Sequence, residues 1–463
     1  MTPREVLALC REKDVAAVDL RCADLFGSWR QYTLPVAQLT EDLFEDGLGI
    51  DGSTVPGWQP VERSDLVLIP QSETARIDPL AAVPTLLLLG ALHDPVTAEP
   101  YPRDPRQIAR KAANHLRHTG IADVAQFGVE LEYFVFGTAR FASASQEAFY
   151  HLEAPRPEVL AGRSPGDRGG LGETPQAAAP AGDLPRATLH ALLEAGVEVQ
   201  TQHWRPNSGG QAALALVPQP LVAMADVVQV AKHCLRNVAR QHGHAATFMP
   251  QPLASGPGSG MHVSLSLWRE EEPLLAGAGY GGLSDIGQYA LGGILRHAPA
   301  LLAFACPTTN SYKRLVPGRD APVYLVHGQG NRSAACRVPL DSASPKARRI
   351  EFRCPDPLSN PYLLFAAITM AAIDGIQTKL SPGAAVESDL HRAAADASRD
   401  WPRAPATLDE ALAALASDQD FLLRDDVFTP EVIQTWIEHK RQAEIQAIRL
   451  RPHPFEFELY FDA

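Results

Sequence analysis

Apolar and polar residues alternate along some stretches of the chain and recur at helical spacing along others, and the two periods divide it into elements. Residues 16 to 34 carry β-favouring Val18, Leu20, Trp29, Tyr32 and Thr33 on either side of Asp24 to Gly27, which predicts two strands of a small N-terminal sheet. Pro35 to Asp46 is predicted as helix, and the loop Gly47 to Trp58, too rich in small residues to be core, follows and carries Asp51. The most apolar run, Ala81 to Leu92, is interrupted by Pro84 and falls far short of the ~20 residues that cross a bilayer. It reads as a buried strand. A second domain begins at Asp104-Pro105, which places a side-chain cap before proline at the first helical position; Ile108, Ala112 and Leu116 then keep helical spacing until Gly120.

Residues 127 to 136 alternate with β-branched and aromatic types and read as a strand. Ala154 to Pro185 then holds six prolines and six glycines in 32 residues and reads as a long loop. A short helix ending at Ala195 leads to the strand Val197 to Trp204, which the Asn207-Ser-Gly-Gly210 turn joins to Gln211 to Val217 as a hairpin. Downstream, helical patterns at 220 to 242, 284 to 304, 361 to 379 and 429 to 448 alternate with strands near 261 to 268, 332 to 338 and 348 to 353. The class is α+β, with an N-terminal domain over 1 to 103 and a larger catalytic-type domain over 104 to 463.

Composition adds limits. At 463 residues, 45% apolar and 21% charged, the chain is globular. Its formal charge of -13 repels polyanions, and no basic groove offsets it, so nucleic acid is not an expected partner. Met1 to Asp14 lacks the apolar run of a secretory signal, and the six cysteines are scattered without a C-x-x-C pair, as in reduced core positions. A cytoplasmic protein with no membrane partner is expected.

Glu130 and Glu132 project from one face of a strand about 6 to 7 Å apart, an arrangement that suits a cation or acid-base work, or else a solvated face. Gly256-Pro-Gly-Ser-Gly-Met-His262 offers backbone amides and delivers a histidine to a strand, although no Lys-Ser/Thr follows to make it a P-loop. Glu351 and Arg353 share a strand face. Lys313, Arg314, Arg332, Arg337, Lys346, Arg348 and Arg353 crowd one span of an acidic chain, as phosphate handling or solvated surface would require.

Together, Asp51-Gly-Ser-Thr, Glu130-Leu-Glu132, Gly258-Ser-Gly-Met-His262, Asn310 to Gly318, Asn331-Arg-Ser, Ser344 to Glu351 and Pro452 to Tyr460 resemble a bacterial type I glutamine synthetase over nearly the whole chain, in order. The resemblance implies an N-terminal β-grasp domain, a glutamine synthetase-type catalytic domain and a homo-oligomer, a dodecamer of two hexameric rings with sites between neighbours. It implies an ATP-dependent ligase in which ATP phosphorylates the glutamate side-chain carboxylate and ammonia then displaces the phosphate to leave an amide. Glu130, His262 and Glu351 match the ligands of one Mg²⁺ or Mn²⁺, and Ser266, Arg332, Arg337 and Lys346 match nucleotide contacts. Gly258, Arg314 and Arg353 match contacts to glutamate and its acyl phosphate; Asp51 matches the residue that deprotonates ammonium, and Asp320 stands for the glutamate that closes over the site.

The resemblance breaks at the second metal. That site uses the residue at Glu132 plus two hairpin glutamates, which here align with Arg205 and Ala213. A divalent ion about 4 Å from a guanidinium, at an effective dielectric near 20, is repelled by about 8 kcal/mol. Pro257 for asparagine, Ser264 for a second histidine, Gln251 for a lysine and His391 for the adenylylated tyrosine are further departures, and the aromatic pocket segment has no counterpart in 154 to 185. Two readings follow. Either the chain is a ligase whose amine is not ammonia, an amine bearing its own carboxylate suiting Arg205 best, or it is a silent relative that binds nucleotide or glutamate, or co-assembles with a true synthetase as a regulatory subunit. The tail Phe455, Phe457, Leu459, Phe461 is expected to be covered by another subunit or by the same chain.

Overall fold

The computed structural model describes residues 1–155, 183–205, 209–318, 321–393 and 401–463. Helix α1 (Pro3–Glu12), held by a capping box between Thr2 and Glu5, packs Val6 and Cys10 into the first core. Strands β1 (Ala17–Ala23) and β2 (Trp29–Pro35) pair around a turn whose Gly27 takes φ 87°, a left-handed value that favours glycine. With β3 (Leu48–Asp51), β4 (Asp65–Ile77) and β5 (Thr85–His93) they form a sheet in the order β2-β1-β5-β4-β3, in which β1 and β5 are parallel.

Two expectations for this domain need correction. Pro35–Asp46 is not one helix but a 3-10 turn, Val36–Gln38, and the single-turn α2 (Leu43–Asp46), because Leu39 is extended and buried in the core between them. The stretch 47 to 58 is not all surface loop: Ile50 lies in β3, and Ile50, Val55 and Trp58 are buried. Small residues let this segment follow the sheet edge while its few bulky side chains turn inward.

The larger domain begins with α3 (Pro105–His118), whose cap is Asp104 accepting from the Arg106 N–H at 2.9 Å. Its strands are β6 (Val124–Phe136), the hairpin β7 (Thr138–Ser143) and β8 (Ala148–Glu153), β9 (Val199–Trp204), β10 (Gln211–Leu216), β11 (Gln219–Pro220), β12 (Ala245–Thr247), β13 (Met261–Arg269), β14 (Glu272–Pro273), β15 (His327–Gln329), β16 (Cys336–Val338) and β17 (Ile350–Phe352). The main sheet runs β15-β16-β17-β13-β6-β10-β9. Helices α4 (Leu184–Glu194), α5 (Leu221–Gln241), α6 (Asp285–Ala305), α7 (Ser311–Arg314), α8 (Pro361–Thr378), α9 (Leu390–Ala393) and α10 (Leu408–Ser417) accompany it.

Alternation along the two central strands divides core from site. On β6, Ala125, Phe127, Val129, Leu131 and Tyr133 belong to the helix-covered core, where Phe127 stacks on Phe365 of α8 at 4.6 Å. Gln126, Gly128, Glu130 and Glu132 therefore face the other way. The same holds on β13, where Met261, Val263, Leu265 and Leu267 are core and His262, Ser264 and Ser266 point across. The domains are tied by Asn360, which donates to the Leu25 carbonyl at 3.1 Å, and by Arg21 and His233, which share Asp78.

All six cysteines are free and buried. Among the described residues no helix is long and apolar enough to cross a membrane. The C-terminal tail is a helix, Pro454–Tyr460, with Phe455, Phe457, Leu459 and Phe461 all more than half exposed.

Within α6, His297 is clamped: Nδ1 lies 2.8 Å from Asp418 and Nε2 3.0 Å from Asp374 of α8, while the ring stacks on Phe421 and Arg424 meets Asp374 at 2.6 Å. Only the imidazolium donates from both nitrogens. Burial pulls its pKa down, but the two carboxylates outweigh that and leave it raised. A raised folded pKa means the stabilisation is complete below the unfolded value of about 6.5 and is lost as pH climbs through the folded one. Thermal denaturation from pH 6 to 9 should show the wild-type advantage over His297→Gln shrinking with rising pH; a constant gap would refute the charged clamp.

Candidate active site

The register of the sheet gathers the site. His262 pairs directly with Glu130 across β13 and β6, Ser264 with Glu351 across β13 and β17, and Arg337 with Glu351 across β16 and β17. Directly paired residues share a face, and so do residues two apart, so Glu130, His262, Glu351 and Arg337 stand together. His262 Nδ1 lies 3.0 Å from the Glu130 carboxylate. That bond, with Arg205 and Arg353 nearby, outweighs partial burial and lowers the Glu130 pKa to about 2. Burial would raise the Glu351 carboxyl, yet His262, Arg353 and Arg337 hold it below the usual range. Both are anions at neutral pH.

Glu351 is engaged at both oxygens, by Arg353 on one and by Arg337 at 2.7 Å on the other. As the side chains stand, no three His, Cys, Asp or Glu among the described residues are gathered closely enough to hold an ion. The donor set of Glu130, His262 and Glu351, two anionic carboxylates and an imidazole on adjacent strands, nonetheless fits one hard to borderline divalent cation that displaces the guanidinium contacts.

Glu132 is different. It is 3% exposed, pairs with Arg205 through one oxygen and accepts the Gly260 N–H at 2.6 Å through the other. Its cross-strand neighbour is Ala213, which brings no carboxylate. A second cation does not fit there. The pair also revises one expectation: a carboxylate-bearing amine requires an available guanidinium charge, and Arg205 is committed to Glu132.

Two adjoining cavities open over this face. One of about 1130 Å³ is lined by Glu130, His262, Ser266, Arg332, Arg337, Lys346 and Glu351. Its neighbour, about 810 Å³, is shared by Glu130, Glu132, Arg205, Arg332 and Arg353. Within the first, Ser266 accepts from the Trp268 indole at 2.9 Å. Gly258 and Arg314 form the layer behind. Arg314 is buried and donates to the carbonyls of Cys354 at 2.7 Å and Arg353 at 3.2 Å. A Cβ on Gly258 would meet the Pro250 carbonyl at 2.5 Å, which requires glycine there, and one on Gly260 would meet the Arg314 guanidinium at 2.5 Å and push it from its place.

Asp51 is not brought here. It ends β3 in the smaller domain, exposed, with its carboxyl accepting from the Ser53 N–H at 2.8 Å and hydroxyl at 2.6 Å, which lowers its pKa. Asp320, much of the 154 to 185 loop and Asn207 lie outside the described residues. Sequence reading missed His203, Glu387 and Asp389 as lining of the second cavity and reached His391 only as a departure. Glu387 bonds the Tyr280 hydroxyl. These residues come from segments far apart in the chain and share no motif that marks them.

With this geometry in view, the family description "Glutamine synthetase, beta-Grasp domain" matches residues 14–95 and "Glutamine synthetase, catalytic domain" matches residues 102–460. A glutamine synthetase of Frankia alni is 45% identical over 99% of this chain and 98% of its own length. Among solved structures, the Plasmodium falciparum glutamine synthetase superposes at TM-score 0.87 with 24% identity and 99% of both chains covered. A GmaS/ADP complex superposes at 0.82 with 26% identity over 100% of both. A β-grasp domain ahead of this catalytic domain defines an ATP-dependent ligase. The chain belongs to the glutamine synthetase family, in its bacterial type I branch.

If the Arg205 pair is what closes the Glu132 position to cations, the double substitution Arg205→Glu with Ala213→Glu should add one bound Mn²⁺ per subunit in a direct titration. Unchanged stoichiometry would show that the hairpin does not face Glu132 as described.

Proposed function

We propose that the protein couples ATP cleavage to amide formation between a glutamate-type carboxylate and an amine other than ammonia. The observation that carries the second half is the Glu132 carboxylate held between Arg205 and the Gly260 amide. A pocket selecting ammonium needs an uncompensated negative charge, because a small cation loses its hydration shell on entry. Here the charge of Glu132 is neutralised and Ala213 is apolar, so a small cation gains little, while the cavity of about 810 Å³ that Glu132 lines has room for a larger, neutral-end amine.

In this reading the first cavity takes ATP, with Arg332, Arg337, Lys346 and Ser266 toward the phosphates. The ADP in the GmaS relative supports a nucleotide on this fold. A single Mg²⁺ or Mn²⁺, when bound by Glu130, His262 and Glu351, supplies charge neutralisation at the phosphates. A carboxylate oxygen of the acid attacks the terminal phosphorus, ADP leaves, and the amine nitrogen then attacks the acyl carbon as phosphate departs. Arg353 sits beside Glu351, where it can steady the acyl phosphate, while Gly258 and Arg314 shape the acid's seat from behind. Asp51 of an adjacent subunit takes the amine proton in a ring assembly, in keeping with its exposure and with its not lining either cavity of its own chain. Exposed apolar residues on the C-terminal helix support burial within such an assembly, a dodecamer of two hexameric rings. The domain boundary of this reading falls at residue 103.

Phosphate release from ATP and glutamate should be slow with ammonium, and faster with at least one member of a panel of hydroxylamine, primary amines and amino acids. No release with any nucleophile removes the ligase; ammonium as the best nucleophile removes the amine assignment alone.

A further inference from the structure

A third cavity, about 530 Å³, lies where β4 of the β-grasp sheet meets α3 and the start of α5, and it shares no residue with the two cavities over the catalytic face. Its lining includes four arginines, Arg76, Arg106, Arg110 and Arg117, and two carboxylates, Glu73 and Asp226, so the formal balance is four minus two, or +2, in a chain of net charge -13.

The carboxylates are already taken. Arg106 grips Asp226 through Nε and Nη2, each at 3.0 Å, and approaches Glu73 at 3.5 Å; the Tyr362 hydroxyl donates to Asp226 at 2.7 Å. The other three guanidinium groups meet only neutral acceptors among the described residues. Arg76 donates to the carbonyls of Thr74 at 3.2 Å and Ala195 at 3.4 Å, Arg110 to the Gln71 side chain at 3.0 Å, and Arg117 to Asn114. Dipolar acceptors satisfy N–H groups without cancelling charge. Burial lowers the Arg76 pKa even against the opposing pull of the nearby Asp226 carboxylate, so its charge is only partly compensated. Arg110 and Arg117 lie two turns apart on one stripe of α3, and the small side chains of Ala113 and Ala223 are part of the same lining.

We propose that this junction cavity binds a small multivalent oxyanion of the phosphate or phosphate-ester class, held by Arg76 from the β-grasp domain and by Arg110 and Arg117 from the catalytic domain. Guanidinium forks match such oxygens in geometry as well as charge. A ligand so held bridges the two domains.

Equilibrium dialysis of the full chain against radiolabelled inorganic phosphate tests this, with glycerol phosphate as the esterified arm. Arg332→Gln, which alters the catalytic cavity, should keep one phosphate equivalent per subunit that Arg110→Gln/Arg117→Gln loses. Because Arg110 and Arg117 are exposed, that variant should fold, and Ala223→Glu gives a second route to the same loss by placing a carboxylate in the cavity. Retention of the equivalent in both variants, or its loss in Arg332→Gln alone, overturns the proposal. Displacement of the label at lower concentrations of glycerol phosphate than of unlabelled phosphate would assign an ester; the reverse would assign the free anion.

Discussion

The register between β6, β13 and β17 is the constraint on which the site depends. It sets His262 opposite Glu130 and Ser264 opposite Glu351, and a slip of one residue in any of the three would turn that strand's polar side chains into the helix-packed core. The apolar partners on the alternate positions, Phe127 against Phe365 and the buried Val263 and Leu265, fix the register by packing. The core thus does the positioning, and the polar face carries groups that would not hold themselves in place.

On that face, carboxylates and guanidinium groups are matched so closely that the site has little net charge of its own. Glu351 lies between Arg337 and Arg353, Glu132 meets Arg205, and Glu130 meets His262. The pairs differ in what can displace them. All of them border the cavities, but the partners of Glu351 and Glu130 are side chains that can be exchanged for a ligand's charges, whereas Glu132 is also bonded to the Gly260 backbone amide, which a ligand cannot displace by a side-chain rotation. Two glutamates separated by one residue on a single strand therefore have different chemical lives.

Much of this was legible in the sequence, because period-two alternation with a helical backing leaves little freedom. The strands at 127 to 136 and 261 to 268, the helix after Asp104-Pro105 and the shared face of Glu130 and Glu132 follow from local rules. Reading failed where tertiary packing overrides local preference. Leu39 leaves the helical path to reach the core, and Trp58 is buried although its neighbours are the residues of a surface loop. The partner of Arg205 and the lining of the second cavity by His203, Glu387 and Asp389 depend on contacts between distant segments, which no spacing rule encodes.

The burial of every thiol has a practical side. Burial pushes the thiol pKa of Cys234 and Cys354 up to about 12 and that of Cys10, Cys22, Cys306 and Cys336 upward as well, so little reactive thiolate exists at neutral pH. The folded protein should therefore react slowly with maleimides and mild oxidants. A single cysteine introduced at an exposed position would be a selective attachment point for a spin label or fluorophore, without first stripping the native ones.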